Sequence, residues 1–132
     1  MPVSSPQKHI LSPSDLAIIS QALFLSNSNV IVYTKYKEIR VGHKGKYRVK
    51  FDLTASSATY TVYGRIYKNG TAFGTERSTS IITYTTFTED LDFDIGDLLQ
   101  LYCKSSSASY YVGWKNLIIY GDLGPAFVNL DT

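Results

Sequence analysis

Residues 47–54 read Tyr-Arg-Val-Lys-Phe-Asp-Leu-Thr, and their alternation decides the fold class. Tyr47, Val49, Phe51 and Leu53 alternate with Arg48, Lys50, Asp52 and Thr54, the period of a strand with one face buried and one in water. Moving outward, Val62 and Ile66 alternate with Thr61, Tyr63, Arg65 and Tyr67. Lys68-Asn69-Gly70-Thr71 then reads as a hairpin, because a type I′ turn needs positive φ at both central residues. Ile81 to Phe87 is rich in strand formers, and Gly96-Asp97 turns the chain into Leu98-Leu99-Gln100-Leu101-Tyr102-Cys103. A polar loop, Ser105 to Ser109, precedes a last strand over about Tyr110 to Tyr120. About eight short strands with turn residues between them predict an all-β, antiparallel two-sheet β-sandwich or jelly roll.

The flanks read differently. Residues 1–15 carry Pro2, Pro6 and Pro13 among serines and are expected to form an extended arm. The sandwich is expected over 16–122 and a short tail over 123–132. Ser12-Pro13-Ser14-Asp15 also matches a helix start, with Leu16, Ile19 and Leu23 on one helical face. A strand is the rival for residues 13–25, favoured because Ser26-Asn27-Ser28-Asn29 reads as a turn into Val30-Ile31-Val32. The apolar stretch Leu16 to Leu25 is about half the length that spans a bilayer, and it lacks the flanks of a signal peptide.

Composition limits the job. The chain has 132 residues and a formal charge of +2, too small an imbalance to imply a nucleic-acid partner. The one cysteine, Cys103, excludes an internal disulfide. It shares parity with Leu99 and Leu101 and is expected in the core, while His43 lies in a turn and His9 in the arm, so no nucleophile–base pair is expected. No phosphate-binding glycine motif and no zinc spacing occurs, and Asn69-Gly70-Thr71 is explained as a sequon by its turn. No cofactor is expected.

Two clusters remain. Asp90, Asp92 and Asp94 alternate with Leu91 and Phe93 and so share a face, where calcium is a weak candidate; a solvated strand is the plainer reading. An acid/base enzyme using Glu89, Asp92 and Asp94 is a distant third possibility. The other cluster is aromatic: 11 residues are Tyr. Tyr63, Arg65, Tyr67, Tyr110, Tyr111 and Trp114 are candidate ligand-binding residues, since rings beside Arg, Asp or Asn make platforms for sugars and anchors for protein partners. The same rings would also serve as inner-face packing.

Four segments taken in order carry a resemblance. Tyr36-Lys37-Glu38-Ile39-Arg40-Val41, the strand Gly45 to Leu53, Tyr63 to Gly70, and Gly96 to Tyr102 resemble small β-domains of phage and phage-like virion proteins. The order is similar to that of the tumour-necrosis-factor/complement-head class of jelly rolls, over about residues 30–121. The resemblance implies a non-enzymatic virion or decoration protein, made in the host cytoplasm, that contacts other virion proteins or itself as a homotrimer. It brings no catalytic residue, and the collagen-like or coiled-coil stalk of that class does not occur in the sequence. The alternative function is a glycan- or receptor-binding module, adhesin-like, with a cell-surface glycan as partner; neither reading involves nucleic acid or membrane insertion.

Overall fold

A computed structural model of the chain describes residues 31–120, together with the backbone of 17–21 and 127–130. Ten strands lie within these residues: β1 (Ala17–Gln21), β2 (Thr34–Val41), β3 (Gly45–Ala55), β4 (Val62–Lys68), β5 (Thr71–Ala72), β6 (Arg77–Thr79), β7 (Thr85–Phe93), β8 (Leu98–Ser105), β9 (Val112–Tyr120) and β10 (Phe127–Leu130). A four-stranded sheet runs β1-β9-β3-β7 and a six-stranded one runs β10-β2-β8-β4-β5, with β6 also on β4. Every pairing is antiparallel. Successive long strands change sheet, β2 to β3 to β4 and β7 to β8 to β9, which is the crossing of a jelly roll.

The core lies between the two inner faces. From β3 it takes Tyr47, Val49, Phe51 and Leu53, the residues whose alternation marked that strand. Opposite stand Ile39 and Val41 from β2, Val62 and Ile66 from β4, and Leu99, Leu101 and Cys103 from β8. Gly64 sits between Val62 and Ile66 for a steric reason: a Cβ there would lie 2.9 Å from Phe51 Cε2 and 3.0 Å from Leu53 Cδ1. The Asn69-Gly70 turn has positive φ at both residues, 53° and 84°, as its type requires.

Outside the long strands the outcome is mixed. Residues 17–21 form a strand on β9, the favoured of the two readings of that segment. Residues 1–15, read as an arm, lie outside the described residues. Phe127–Leu130, read as tail, pair with β2 and cover what would otherwise be an open sheet edge. Ile31 and Val32 precede β2, and Ile81 and Ile82 lie in the loop between β6 and β7; all four side chains are exposed, despite their strand-forming type. The loop at Ile81 is tied down through its carbonyl, which accepts from the Ala55 N–H at 3.0 Å. Among the described residues no helix is long and apolar enough to cross a membrane.

Candidate functional site

The six candidate binding residues separate into three places. Trp114 is a core residue, 7% exposed, opposite Leu53 on the inner face of the four-stranded sheet. Tyr110 packs against the core and stacks on Tyr60, with ring centroids 4.4 Å apart and planes 12° from parallel. Tyr111 lies beside it in the β8–β9 loop with half its surface in water, and its carbonyl accepts the Tyr60 hydroxyl. Only Tyr63, Arg65 and Tyr67 stay together, on the outer face of the six-stranded sheet.

They share that face with residues the sequence reading did not single out. In the β4–β8 register Tyr63 stands opposite Lys104, Arg65 opposite Tyr102, and Tyr67 opposite Gln100. Tyr102 leans diagonally onto Tyr67, giving a parallel stack with centroids 3.7 Å apart and planes 11° from parallel. Tyr33, from the segment before β2, packs on the same ring at 5.8 Å and 54°. Lys104 Nζ lies 4.8 Å from the Tyr33 ring centre and 4.9 Å from that of Tyr63. Parity supplied a signal for Tyr102 and Lys104, because they alternate with the inward Leu101 and Cys103. Tyr33 and the nearby Glu76 come from loops and carry no such period.

Hydrogen bonds hold the arrangement in place. Tyr33 donates its hydroxyl to Glu76 Oε2 at 2.6 Å, and Arg65 donates Nε–H to the Gly74 carbonyl at 2.6 Å. Gln100, buried on this face, donates to Glu38 Oε1 and accepts from the Gly70 N–H, each at 2.8 Å. Burial, then the Glu76 carboxylate, pushes the Tyr33 hydroxyl well above its ordinary range; burial raises Tyr67 as well, with Arg65 acting against it. Both hydroxyls therefore stay protonated through the neutral range, that of Tyr33 committed to Glu76.

The acidic strand follows its expected parity but not its metal reading. Asp90, Asp92 and Asp94 do share the outer face of the four-stranded sheet, yet each meets a cation: Arg48 Nε at 2.9 Å, Lys46 Nζ at 3.3 Å and Lys44 Nζ at 3.9 Å. Among the described residues no three His, Cys, Asp or Glu side chains converge to hold a metal. Glu89 has the parity of Leu91 and Phe93, so it faces away from Asp92; it accepts from the Thr75 N–H at 2.9 Å and the Thr75 hydroxyl at 2.8 Å. The acid/base trio is thus divided between two faces. Cys103 is fully buried and its thiol is pushed up by that burial, which leaves it a packing residue.

A pocket of about 180 Å³ opens at the end of the sandwich near Lys44 and Lys46, with Phe93 in its wall. Its aromatic surface is already covered, since Lys68 Nζ sits 3.8 Å from the Phe73 ring centre and 5.1 Å from that of Phe93. The tyrosine face is the better candidate.

No protein-family model matches the chain, and no curated protein matches it in sequence. Solved structures are similar in shape. A family 35 carbohydrate binding module from an environmental isolate is 10% identical, with a TM-score of 0.54 over 94% of this chain and 99% of that one. The carbohydrate binding module of Cellvibrio mixtus lichenase 5A, solved with cellotriose, is 10% identical with a TM-score of 0.49, over 80% of this chain and 98% of that one. Rabbit GITRL is 15% identical with a TM-score of 0.40, over 67% and 78%. Nothing in these three likenesses points to a phage or virus particle. At such identities the likeness is one of fold, resting on the first, and it agrees with the strand order: this chain is an antiparallel two-sheet jelly-roll sandwich.

Proposed function

We propose that the chain is a non-catalytic glycan-binding module whose ligand lies on the outer face of the six-stranded sheet. One observation carries this reading: Tyr33, Tyr67 and Tyr102 pack ring against ring, Lys104 bridges Tyr33 to Tyr63, and Arg65 stands opposite Tyr102 on the same face. A sugar offers apolar C–H faces and a rim of hydroxyls, and this surface offers ring area beside donors and acceptors. The rings are locked by their mutual packing, so ligand binding orders few side chains. The family 35 module of similar fold adds support as a carbohydrate binder in its own right.

Calorimetric titration against a panel of soluble oligosaccharides tests the reading. Tyr67→Ala and Tyr102→Ala are expected to weaken binding about tenfold or more, the scale of losing one aromatic anchor. Arg48→Ala, on the opposite sheet, is expected to leave it unchanged. Absence of binding to any oligosaccharide, or equal loss in Arg48→Ala, would defeat it.

A second reading, self-association through one end of the sandwich, has one observation in its favour. Ile31, Val32, Ile81, Ile82 and Tyr111 are exposed at the end of the sandwich where β3 and β8 finish and β4 and β9 begin. Apolar side chains gathered there suit contact with another subunit. Light scattering on the purified chain tests this: a mass of three chains favours self-association, and a single-chain mass removes the trimer.

A further inference from the structure

We infer that Asn69 is a latent modification site, converted to aspartate or isoaspartate through a succinimide, which the folded chain holds closed through Gln100 and Asp97. Glycine after asparagine is the permissive pair for this chemistry, because no Cβ shields the attacking amide nitrogen. The Gly70 nitrogen, having given its proton to hydroxide, bonds to Asn69 Cγ. The Cγ–Nδ2 bond breaks, and Nδ2 leaves as ammonia with a proton from water. Water then opens the ring at either carbonyl, leaving a carboxylate where the amide stood. Both residues of the turn are exposed, so solvent reaches every step.

The groups that must move are held. The Gly70 N–H donates to Gln100 Oε1 at 2.8 Å, so the proton of the attacking nitrogen is already engaged. Asn69 Nδ2 donates to Asp97 Oδ1 at 3.0 Å, and Asn69 Oδ1 accepts from the Leu98 N–H at 2.8 Å. The side-chain amide cannot turn its carbon toward Gly70 without losing both bonds. The backbone is fixed as well: the Asn69 N–H donates to the Leu98 carbonyl at 3.0 Å. Gln100 is itself locked. It is buried, and its Nε2 donates to Glu38 Oε1 at 2.8 Å, an oxygen that Lys35 Nζ also holds at 2.7 Å. That carboxylate decides which end of the Gln100 amide faces Gly70, since of the two ends only the carbonyl oxygen accepts. An exposed, reactive dipeptide is thus shielded by a buried side chain behind it.

Conversion changes the turn. A carboxylate at position 69 still accepts from Leu98, but it faces Asp97 Oδ1 across a gap that Nδ2 now bridges at 3.0 Å. Asp97 is held below the ordinary carboxylate range, first by the Asp94 N–H, and so is charged at neutral pH. Two carboxylates in that position repel, which drives the β4–β5 hairpin away from the Gly96-Asp97 turn.

The experiment incubates the full chain in mildly alkaline buffer, folded and again unfolded in guanidinium chloride, and follows residue 69 by peptide mass spectrometry with an isoaspartate assay. Asn69 is expected to convert about a hundredfold more slowly when folded, the rate equivalent of three hydrogen bonds opened together at roughly fivefold each. Gln100→Leu keeps the bulk, removes the acceptor and is expected to raise the folded rate about fivefold. Asp97→Ala frees Nδ2 from the other side and repeats the test should Gln100→Leu fail to fold. Ile119→Val, a mild core change on the other sheet, is expected to leave the rate alone, which separates a local clamp from general stability. Asn69→Asp, the product made directly, is expected to lower the urea midpoint at neutral pH. Four results would overturn the inference. They are no conversion in the unfolded chain, equal rates folded and unfolded, a rise in Ile119→Val matching that in the clamp variants, and an Asn69→Asp chain as stable as the wild type.

Discussion

On the outer face of the four-stranded sheet Arg48 meets Asp90 at 2.9 Å and Lys46 meets Asp92 at 3.3 Å, each pair directly opposite across β3 and β7. Across the molecule, Arg65 and Lys104 rest on a carbonyl and on tyrosine rings. Both faces use the same strand alternation, and the first also sets Lys50 over Tyr120 and Lys115 over Tyr84, so the contrast is between the β3–β7 ladder and the tyrosine face. A ladder of alternating sign neutralises itself and stays hydrated, with little left to recognise a ligand. A cation opposite a tyrosine is held without being neutralised. The comparison teaches that partnering, more than residue type, separates a self-neutralised ladder from a surface that keeps its charge.

The largest expected effect concerns the ring that belongs to neither face. Trp114 sits inward against Leu53, so Trp114→Ala is expected to destabilise the fold by about 3–5 kcal/mol, the usual cost of removing a buried aromatic. Urea unfolding measures it. A loss of well under 1 kcal/mol would return Trp114 to the surface and redraw the division between core and face.

Next comes the Tyr67–Tyr102 stack on the tyrosine face. A double-mutant cycle on Tyr67 and Tyr102, each to Ala, is expected to give a coupling of about 0.5–1.5 kcal/mol in folding stability, the value of a packed aromatic pair. Zero coupling would mean that the two rings move independently in solution, which removes preorganisation from the argument for a binding surface.

Much of this was readable from the chain, and the failures have identifiable causes. The alternation of residues 47–54 places four side chains inward without ambiguity, and the parity of Leu99, Leu101 and Cys103 turns Tyr102 and Lys104 outward. On β9 the same logic breaks. Val112 and Trp114 point inward, and so do Leu117 and Ile119, an odd step that alternation forbids. A bulge intervenes: the β3–β9 register shifts between Lys50 and Asp52, and Asn116 takes a φ of 53°. The Asn116 amide is held there by Asp52 Oδ2 at 2.9 Å, a contact between residues far apart in sequence. Without it the inward position of Trp114 could not be read. The exposed Ile81 and Ile82 mislead in the opposite way, because residue type suggests a strand where a loop is anchored by its backbone. Tyr33 joins the tyrosine face from a loop, through packing on Tyr67 that no local pattern reports.

The smallest effect divides the two faces by pH. On the ladder, hydrogen bonds from Arg48 hold the Asp90 carboxyl below its ordinary 3.8. A depressed folded-state value means that the stabilisation is present above 3.8 and disappears as pH falls through the lower value. On the tyrosine face the sign reverses. Burial, then Glu76, raises Tyr33 above its ordinary 10.0, so its contribution is full below pH 10 and declines as pH climbs further, where the unfolded chain ionises first. The stability profile is therefore expected to fall at both ends, with different faces responsible. Asp90→Asn should flatten part of the acid limb and leave the alkaline limb alone; Tyr33→Phe should do the reverse. Urea midpoints measured across both limbs decide it. If either variant altered both limbs equally, the faces would not titrate independently, and the contrast between a self-neutralised ladder and a charged aromatic surface would lose its electrostatic basis.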